Sequence, residues 1–229
     1  MSGPQILIVD DELYIRRLLR RTLERAGYAV EEAVDAAETL TAVASSRPSA
    51  VLLDLGLPDR DGLELITPLK KDGDLVLLVV SAREGTEEKV AALDLGADDY
   101  VTKPFDAEEL LARLRVALRN HGRAGAPPPV IKAAGFEIDL ERRVVCRDGE
   151  ELHLTRKEHN VLSALAATPG RVVTHQRILE AAWPHDDDRP IENLRIVIRN
   201  LRQKLEGPGS VGSVIANELG IGYRLLLGG

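Results

Sequence analysis

In the 229-residue chain, reactive side chains directly follow three apolar runs and a fourth, mixed segment. Ile6–Val9 leads into Asp10, Asp11 and Glu12, Ala50–Leu53 into Asp54, and Leu75–Val80 into Ser81, while the segment after Tyr100 supplies Lys103 and Pro104. Carboxylates gathered in one place repel and raise one another's pKa unless a cation neutralises them. Oxygen ligands alone favour Mg²⁺ or Mn²⁺ over zinc. An Asp ahead of a helix is also an ordinary N-cap, and for Asp10 and Asp11 taken alone the two readings weigh equally. The hydroxyl and the ammonium at the other run ends tip the balance. Converging on one spot, this set suits an aspartyl nucleophile that accepts a phosphoryl group. The metal would offset charge, and Lys103 and Ser81 would bind the new phosphate oxygens.

Convergence needs a fold that brings those ends together. Continuous apolar runs such as Ile6–Val9, Ala50–Leu53 and Leu75–Val80 read as strands buried on both faces. Between them, Ile15, Leu18, Leu19, Thr22, Leu23 and Ala26 recur at helical spacing until Gly27. Ala29–Val30 reads as a short strand and Ala36–Ala44 as a second helix, and Asp106 with Glu109 opens a helix carrying Leu110, Leu111, Leu114 and Leu118. Five βα units predict a doubly wound parallel α/β sheet. Ligands of such sheets sit at the carboxyl ends of the strands, where strand order reverses.

Glycines and then Pro127-Pro128-Pro129 close this pattern, predicting one domain over 1–121, a semi-stiff linker over 122–129 and a second domain over 130–229. The rhythm then changes. Phe136–Leu140, Val144–Arg147 and Glu151–Leu154 read as short strands. Thr155 and Glu158 form a capping box for a helix to about Ala167, with further helices over about Thr174–Trp183 and Pro190–Glu206. Ser213–Leu227, with Gly220 and Gly222, reads as a hairpin, completing a winged helix-turn-helix.

Composition bounds the functions. Apolar residues make up 44% and charged residues 29%, a globular balance. One cysteine, Cys146, excludes an internal disulfide framework and reads as packing, as does Trp183. The N-terminus is too polar for a signal peptide or membrane span, so a cytoplasmic protein without membrane contact is expected. The net charge of −7 is unevenly spread: 15 basic and 23 acidic residues fall in 1–122, against 15 and 14 in 123–229. Such asymmetry suggests domains with different partners. The five histidines lack ligand spacing, and His185 with Asp186, Asp187 and Asp188 reads as a polar loop.

VDDE at 9–12, DLGLPDRDG at 54–62, SAR at 81–83 and GADDYVTKPF at 96–105 together resemble a response-regulator receiver domain. The resemblance implies Asp54 as phosphoacceptor, with Asp10, Asp11, Asp54 and the Gly56 carbonyl around the metal. It also implies Lys103 on a phosphate oxygen, a cis Lys103–Pro104 bond, and Ser81 and Tyr100 as a switch pair. Ser81 stands where many relatives have Thr, which keeps the hydroxyl. A sensor histidine kinase is then the phosphoryl donor. Lys89, Asp94, Asp99, Glu109, Arg113 and Arg115 alone read as a solvated charged face. By resemblance they are a two-fold dimer surface on the fourth helix, fifth strand and fifth helix, pairing Lys89 with Glu109, Asp94 with Arg115 and Asp99 with Arg113.

In the third helix of the second domain, Ile191, Leu194, Ile198, Leu201 and Leu205 form one apolar stripe. The opposite face carries Glu192, Ile196, Arg199, Asn200 and Gln203, flanked by Asn193, Arg195, Arg202 and Lys204. Arg, Asn and Gln pair bidentately with purine edges, and cations attract phosphates. This segment with NELGIGYRLLL resembles an OmpR/PhoB-type DNA-binding domain, with Tyr223 and Arg224 matching the wing's ending. Leu219 occupies a wing position where many relatives place Arg, and Arg195 and Val197 replace frequent Asp and His. DLGLPDRDG and ELGIGYR are most similar to Kdp-type regulators of potassium-transport operons. The expectation is therefore a regulator that dimerises when phosphorylated and binds repeated half-sites on double-stranded DNA. Two alternatives are an Mg²⁺-dependent phosphohydrolase, which would want an Asp where Gly56 stands, and an adaptor whose winged helix binds protein.

Overall fold

A computed structural model describes residues 3–71, 75–121, 130–133, 136–140, 142–147, 149–184, 191–206 and 213–226. The chain separates into two compact units, Met1–Gly122 and Arg123–Gly229. The expected linker, 122–129, lies outside the described residues, as do His185 and Asp186–Asp188.

The first unit alternates β1 (Gln5–Val9), α1 (Leu13–Arg25), β2 (Ala29–Ala33), α2 (Ala36–Ser46), β3 (Ala50–Leu53), α3 (Leu63–Lys70), β4 (Val76–Ser81), α4 (Thr86–Asp94), β5 (Asp99–Thr102) and α5 (Ala107–His121). The parallel sheet runs β2-β1-β3-β4-β5, so strand order reverses between β1 and β3. Alternate strand residues bury on opposite faces. Leu7, Val9, Val51, Leu53, Leu77 and Val79 pack with Leu65, Ile66 and Ala92 on one side. Ile6, Ile8, Leu52, Leu78 and Val80 pack with Leu19, Leu23, Leu110 and Leu114 on the other. Burial on both faces is why these strands are unbroken apolar runs. The strand starting at Ala29 extends to Ala33, beyond the two residues expected.

The second unit opens with a four-stranded antiparallel sheet, β6 (Val130–Ala133), β7 (Phe136–Asp139), β8 (Val144–Arg147) and β9 (Glu150–Glu151). Of the strand expected over Glu151–Leu154 only Glu151 lies in β9, which begins one residue earlier at Glu150 and pairs with Cys146 and Arg147. Then come α6 (Arg156–Ala167), β10 (Val172–Thr174), α7 (His175–Ala182), α8 (Ile191–Leu205), β11 (Ile215–Glu218) and β12 (Gly222–Leu225). The capping box at α6 is present: Thr155 accepts from the Glu158 amide while the Glu158 carboxylate accepts from the Thr155 amide. One core joins Phe136 and Ile138 with Val161, Leu165, Ile178, Trp183, Leu194, Ile198, Leu201 and Tyr223. The hairpin β11–β12 is closed by β10 in the order β10-β12-β11. Gly222 makes that closure possible, since a Cβ there would lie 1.9 Å from the Val173 carbonyl oxygen. Among the described residues, no helix is long and apolar enough to cross a membrane.

Candidate functional site

The sheet register assembles the pocket. Val9 is level with Leu53, and Ser81 with Thr102, so Asp10, Asp54, Ser81 and Lys103 emerge at one edge. Ladder bonds continue into these residues and fix their backbones: the Asp10 amide donates to Ala33 O at 3.2 Å, Asp54 to Val9 O at 2.9 Å and Lys103 to Ser81 O at 2.8 Å. Asp10, Asp54 and Ser81 are buried. Gly62 lets α3 start against this edge, because a Cβ there would meet the Asp54 carbonyl oxygen at 2.6 Å. The Lys103–Pro104 peptide is cis.

Lys103 Nζ bridges two carboxylates, lying 2.6 Å from Asp10 Oδ2 and 2.6 Å from Asp54 Oδ2, with Glu12 Oε1 at 3.8 Å. Asp54 Oδ1 accepts from the Gly56 amide at 3.2 Å, and Asp10 Oδ1 from the Glu12 amide at 2.9 Å. Burial raises the Asp10 pKa, against the bond to Lys103, and the charge of Asp54 adds to the rise. Burial would lower Lys103, but its bonds to Asp10 and Asp54 prevail and hold it above its ordinary value. The ammonium therefore stays charged at neutral pH.

Oxygens of Asp10, Glu12 and Asp54 lie within 4.8 Å of one another, a hard-oxygen donor set. One ammonium among three carboxylates leaves negative charge that a small divalent cation would offset, so the residues fit the expected ion. Of the expected acid pair, Asp10 lies in this group together with Glu12, while the Asp11 side chain is exposed and outside it. Asp11 contributes its backbone carbonyl, which accepts from Arg16.

Of the expected switch pair, Ser81 and Tyr100 are both buried, and the Tyr100 hydroxyl donates to the Arg83 carbonyl at 2.7 Å. Burial pushes its phenol pKa up. Arg83 closes the arrangement by pairing with Asp61 at 3.0 Å and donating to the Leu55 carbonyl at 3.3 Å.

In the second unit, α8 buries Leu194, Val197, Ile198, Leu201 and Leu205. Arg195, Ile196, Arg199 and Gln203 are exposed and Asn200 is half-buried, giving the polar face the expected composition. Val197 lies on the core side of the helix. Three of the cations expected at nucleic acid, Arg202, Lys204 and Arg224, have partners within this unit. Arg202 donates to the Ile215 carbonyl, its Nε at 3.0 Å, which ties α8 to the wing. Lys204 bonds the His153 carbonyl at 3.0 Å and Glu158 at 2.7 Å. Arg224 is buried, paired with Glu218 at 2.9 Å and bonded to Gly170 O at 3.2 Å. Leu219, at 87% exposure, stands out between the wing strands.

Residues 6–115 match the family model for the response regulator receiver domain, and residues 149–225 that for the transcriptional regulatory protein, C terminal. The chain is 44% identical over 222 residues to the KDP operon transcriptional regulatory protein KdpE of Escherichia coli strain K12, covering 97% of this chain and 99% of that one. The chain belongs to the two-component response regulators of the OmpR/PhoB type. The regulator is also 43% identical to the response regulator MprA of Mycobacterium sp. strain KMS, over 96% of each chain. Among solved structures it resembles DrrB, a Thermotoga maritima OmpR/PhoB homolog, with a TM-score of 0.50 at 28% identity over 97% of this chain and 98% of that one. It is thus a transcription regulator with a receiver and a DNA-binding domain.

The regulator's charged surface is partly internal. Arg113 pairs with Asp99 at 2.9 Å and with Glu109 at 2.8 Å inside one chain. The Asp99–Arg113 pair expected between chains is therefore already closed within each, because β5 and α5 are neighbours. Arg115 is exposed, and Lys89 lies 5.8 Å from the Tyr100 ring centre, linking α4 to β5. Sequence reasoning gave Glu12 no ligand role and missed Arg16 altogether. A carboxylate in the same run was the available signal for Glu12; nothing in the spacing marked Arg16.

Proposed function

We propose that this regulator takes a phosphoryl group from a sensor histidine kinase onto Asp54 and thereby gains affinity for promoter DNA. The observation carrying this reading is the Lys103 ammonium seated between Asp54 and Asp10, 2.6 Å from each. An Asp54 oxygen attacks phosphorus, the P–N bond of the donor phosphohistidine breaks, and its electron pair stays on the imidazole nitrogen. Lys103 and the Ser81 hydroxyl then bind the oxygens of the new acyl phosphate. Asp10, Glu12 and Asp54 would hold Mg²⁺ or Mn²⁺, with Asp11 and the Gly56 carbonyl as the further ligands the resemblance implies. When bound, the ion neutralises phosphoryl charge. Water attack on the acyl phosphate at the same pocket would reset the protein, which is otherwise no enzyme.

Pairing of two receivers through α4, β5 and α5 would follow phosphorylation, bringing two copies of α8 to repeated half-sites. Arg195, Arg199, Asn200 and Gln203 are the side chains offered to base edges and phosphates. Similarity to the KDP operon regulator supports a potassium-transport operon as the target. Asp54→Asn tests the central step. It should abolish labelling by acetyl phosphate or by a kinase, and labelling that persisted would remove Asp54 as acceptor.

A further inference from the structure

The acidic run after β1 is gripped from beneath by a buried side chain. Arg16, on the first turns of α1, is buried, and its Nη1 donates to two successive backbone carbonyls, Asp10 O at 2.7 Å and Asp11 O at 2.9 Å. Its Nε donates to Glu32 Oε2 at 3.2 Å, on the edge strand β2. Glu32 is steadied in turn by Arg20, which also pairs with Glu24 at 3.1 Å. The amide side of the same run is already fixed, through Asp10 N to Ala33 O and Glu12 N to Asp10 Oδ1. With both sides held, the directions in which Asp10, Asp11 and Glu12 leave the backbone are set.

We propose that Arg16 is a positioning residue for the cation pocket: by clamping the Asp10 and Asp11 carbonyls and anchoring on Glu32, it presents the acidic side chains to a divalent ion. The inference rests on the reading of that pocket as a Mg²⁺ site. Only a guanidinium does this work. Its planar fork spans two carbonyls and a carboxylate at once, whereas a lysine ammonium is a single point donor. Groups that orient metal ligands without touching the metal typically change affinity about 10–100-fold when removed.

Calorimetric titration of Mg²⁺ into the full-length protein, with thermal melts of the metal-free forms, tests the idea. Arg16→Lys should weaken the Mg²⁺ Kd about tenfold. Saturating Mg²⁺ should then restore acetyl-phosphate labelling of that variant. Glu32→Gln, which frees the anchor and leaves the pocket untouched, should weaken the Kd in the same direction. Lys132→Ala, which removes an exposed pair with Glu137 in the second unit, should leave it unchanged. A melting temperature lowered in Arg16→Lys with the Mg²⁺ Kd within twofold of wild type would make Arg16 merely structural and overturn the proposal. If Arg16→Lys does not fold, Glu32→Gln decides by the same criterion. A wild-type chain that binds no Mg²⁺ would overturn the pocket reading and this inference with it, whereas equal Kd values overturn only the role of Arg16.

Discussion

Single residues show how much of the charge in this protein is committed to structure. The Asp98 carboxylate is fully buried, accepting from the Leu77 amide at 2.7 Å and pairing with Lys70 at 3.0 Å, where it locks the entry to β5 against β4. Breaking such a pair leaves an uncompensated buried charge, so Asp98→Ala should cost the receiver about 3 kcal/mol in urea unfolding. A loss below about 1 kcal/mol, the scale of an exposed pair, would contradict that reading. In the second unit, burial and then the charge of Arg143 lower the pKa of His159, and burial and then Arg195 lower that of His175. A lowered folded-state value means the unfolded chain protonates first as pH falls. The contribution is whole above about pH 6.5 and is lost as pH drops through 6.5 towards the folded values. Trp183 is the chain's sole tryptophan and is buried in this unit, so its fluorescence follows this unfolding alone. The urea midpoint should be lower at about pH 5.5 than at about pH 7.5. Replacing both histidines with glutamine should flatten the difference, and an unflattened difference would assign it elsewhere.

Secondary-structure elements explain what could and could not be read beforehand. Strands β1, β3 and β4 were legible because burial on both faces leaves an apolar run. The α6 start was legible because Thr155 and Glu158 satisfy each other's amides locally. By contrast, β6 and β10 escaped notice, being three or four residues long and defined by partners far along the chain. The pocket was legible to the level of Asp54 and Lys103, since each ends a run. The roles of Arg202, Lys204 and Arg224 were not. An arginine on a helix face has the same periodicity whether it meets a phosphate or a carbonyl of another element. The two kinds of arginine on α8 should therefore separate on mutation. Arg199→Ala should reduce specific DNA affinity more than non-specific affinity, measured by competition with random-sequence duplex. Arg202→Ala should instead lower the stability of this unit by about 1.5–3 kcal/mol, having freed the β11 carbonyl. Equal losses of both affinities for Arg199→Ala would make it a phosphate contact only.

At the scale of the molecule, the average charge of −7 gives little indication of partners. The acidic first unit includes the pocket and an ion-paired face, while the near-neutral second unit displays Arg195 and Arg199 among ordinary acidic residues. Asp99, Arg113 and Glu109 are paired within one chain, so the exposed Arg115, expected to meet Asp94 of a second copy, is the cleaner probe of the proposed dimer face. Arg115→Glu should weaken the phosphorylated dimer by roughly the 0.2–1 kcal/mol of an exposed pair at each symmetric contact. Adding Asp94→Arg to the same chain should restore it, as read by sedimentation velocity. Dimers indifferent to both changes would move the interface elsewhere.

The bond from Lys103 to Asp10 spans 93 positions of sequence. During synthesis from the N-terminus, Asp10 and Asp54 leave the ribosome well before the residue that bridges them. A nascent or truncated chain ending before Lys103 therefore carries both carboxylates without the ammonium that bridges them. On the proposed function, such a chain would lack the group that binds the oxygens of the new phosphoryl group.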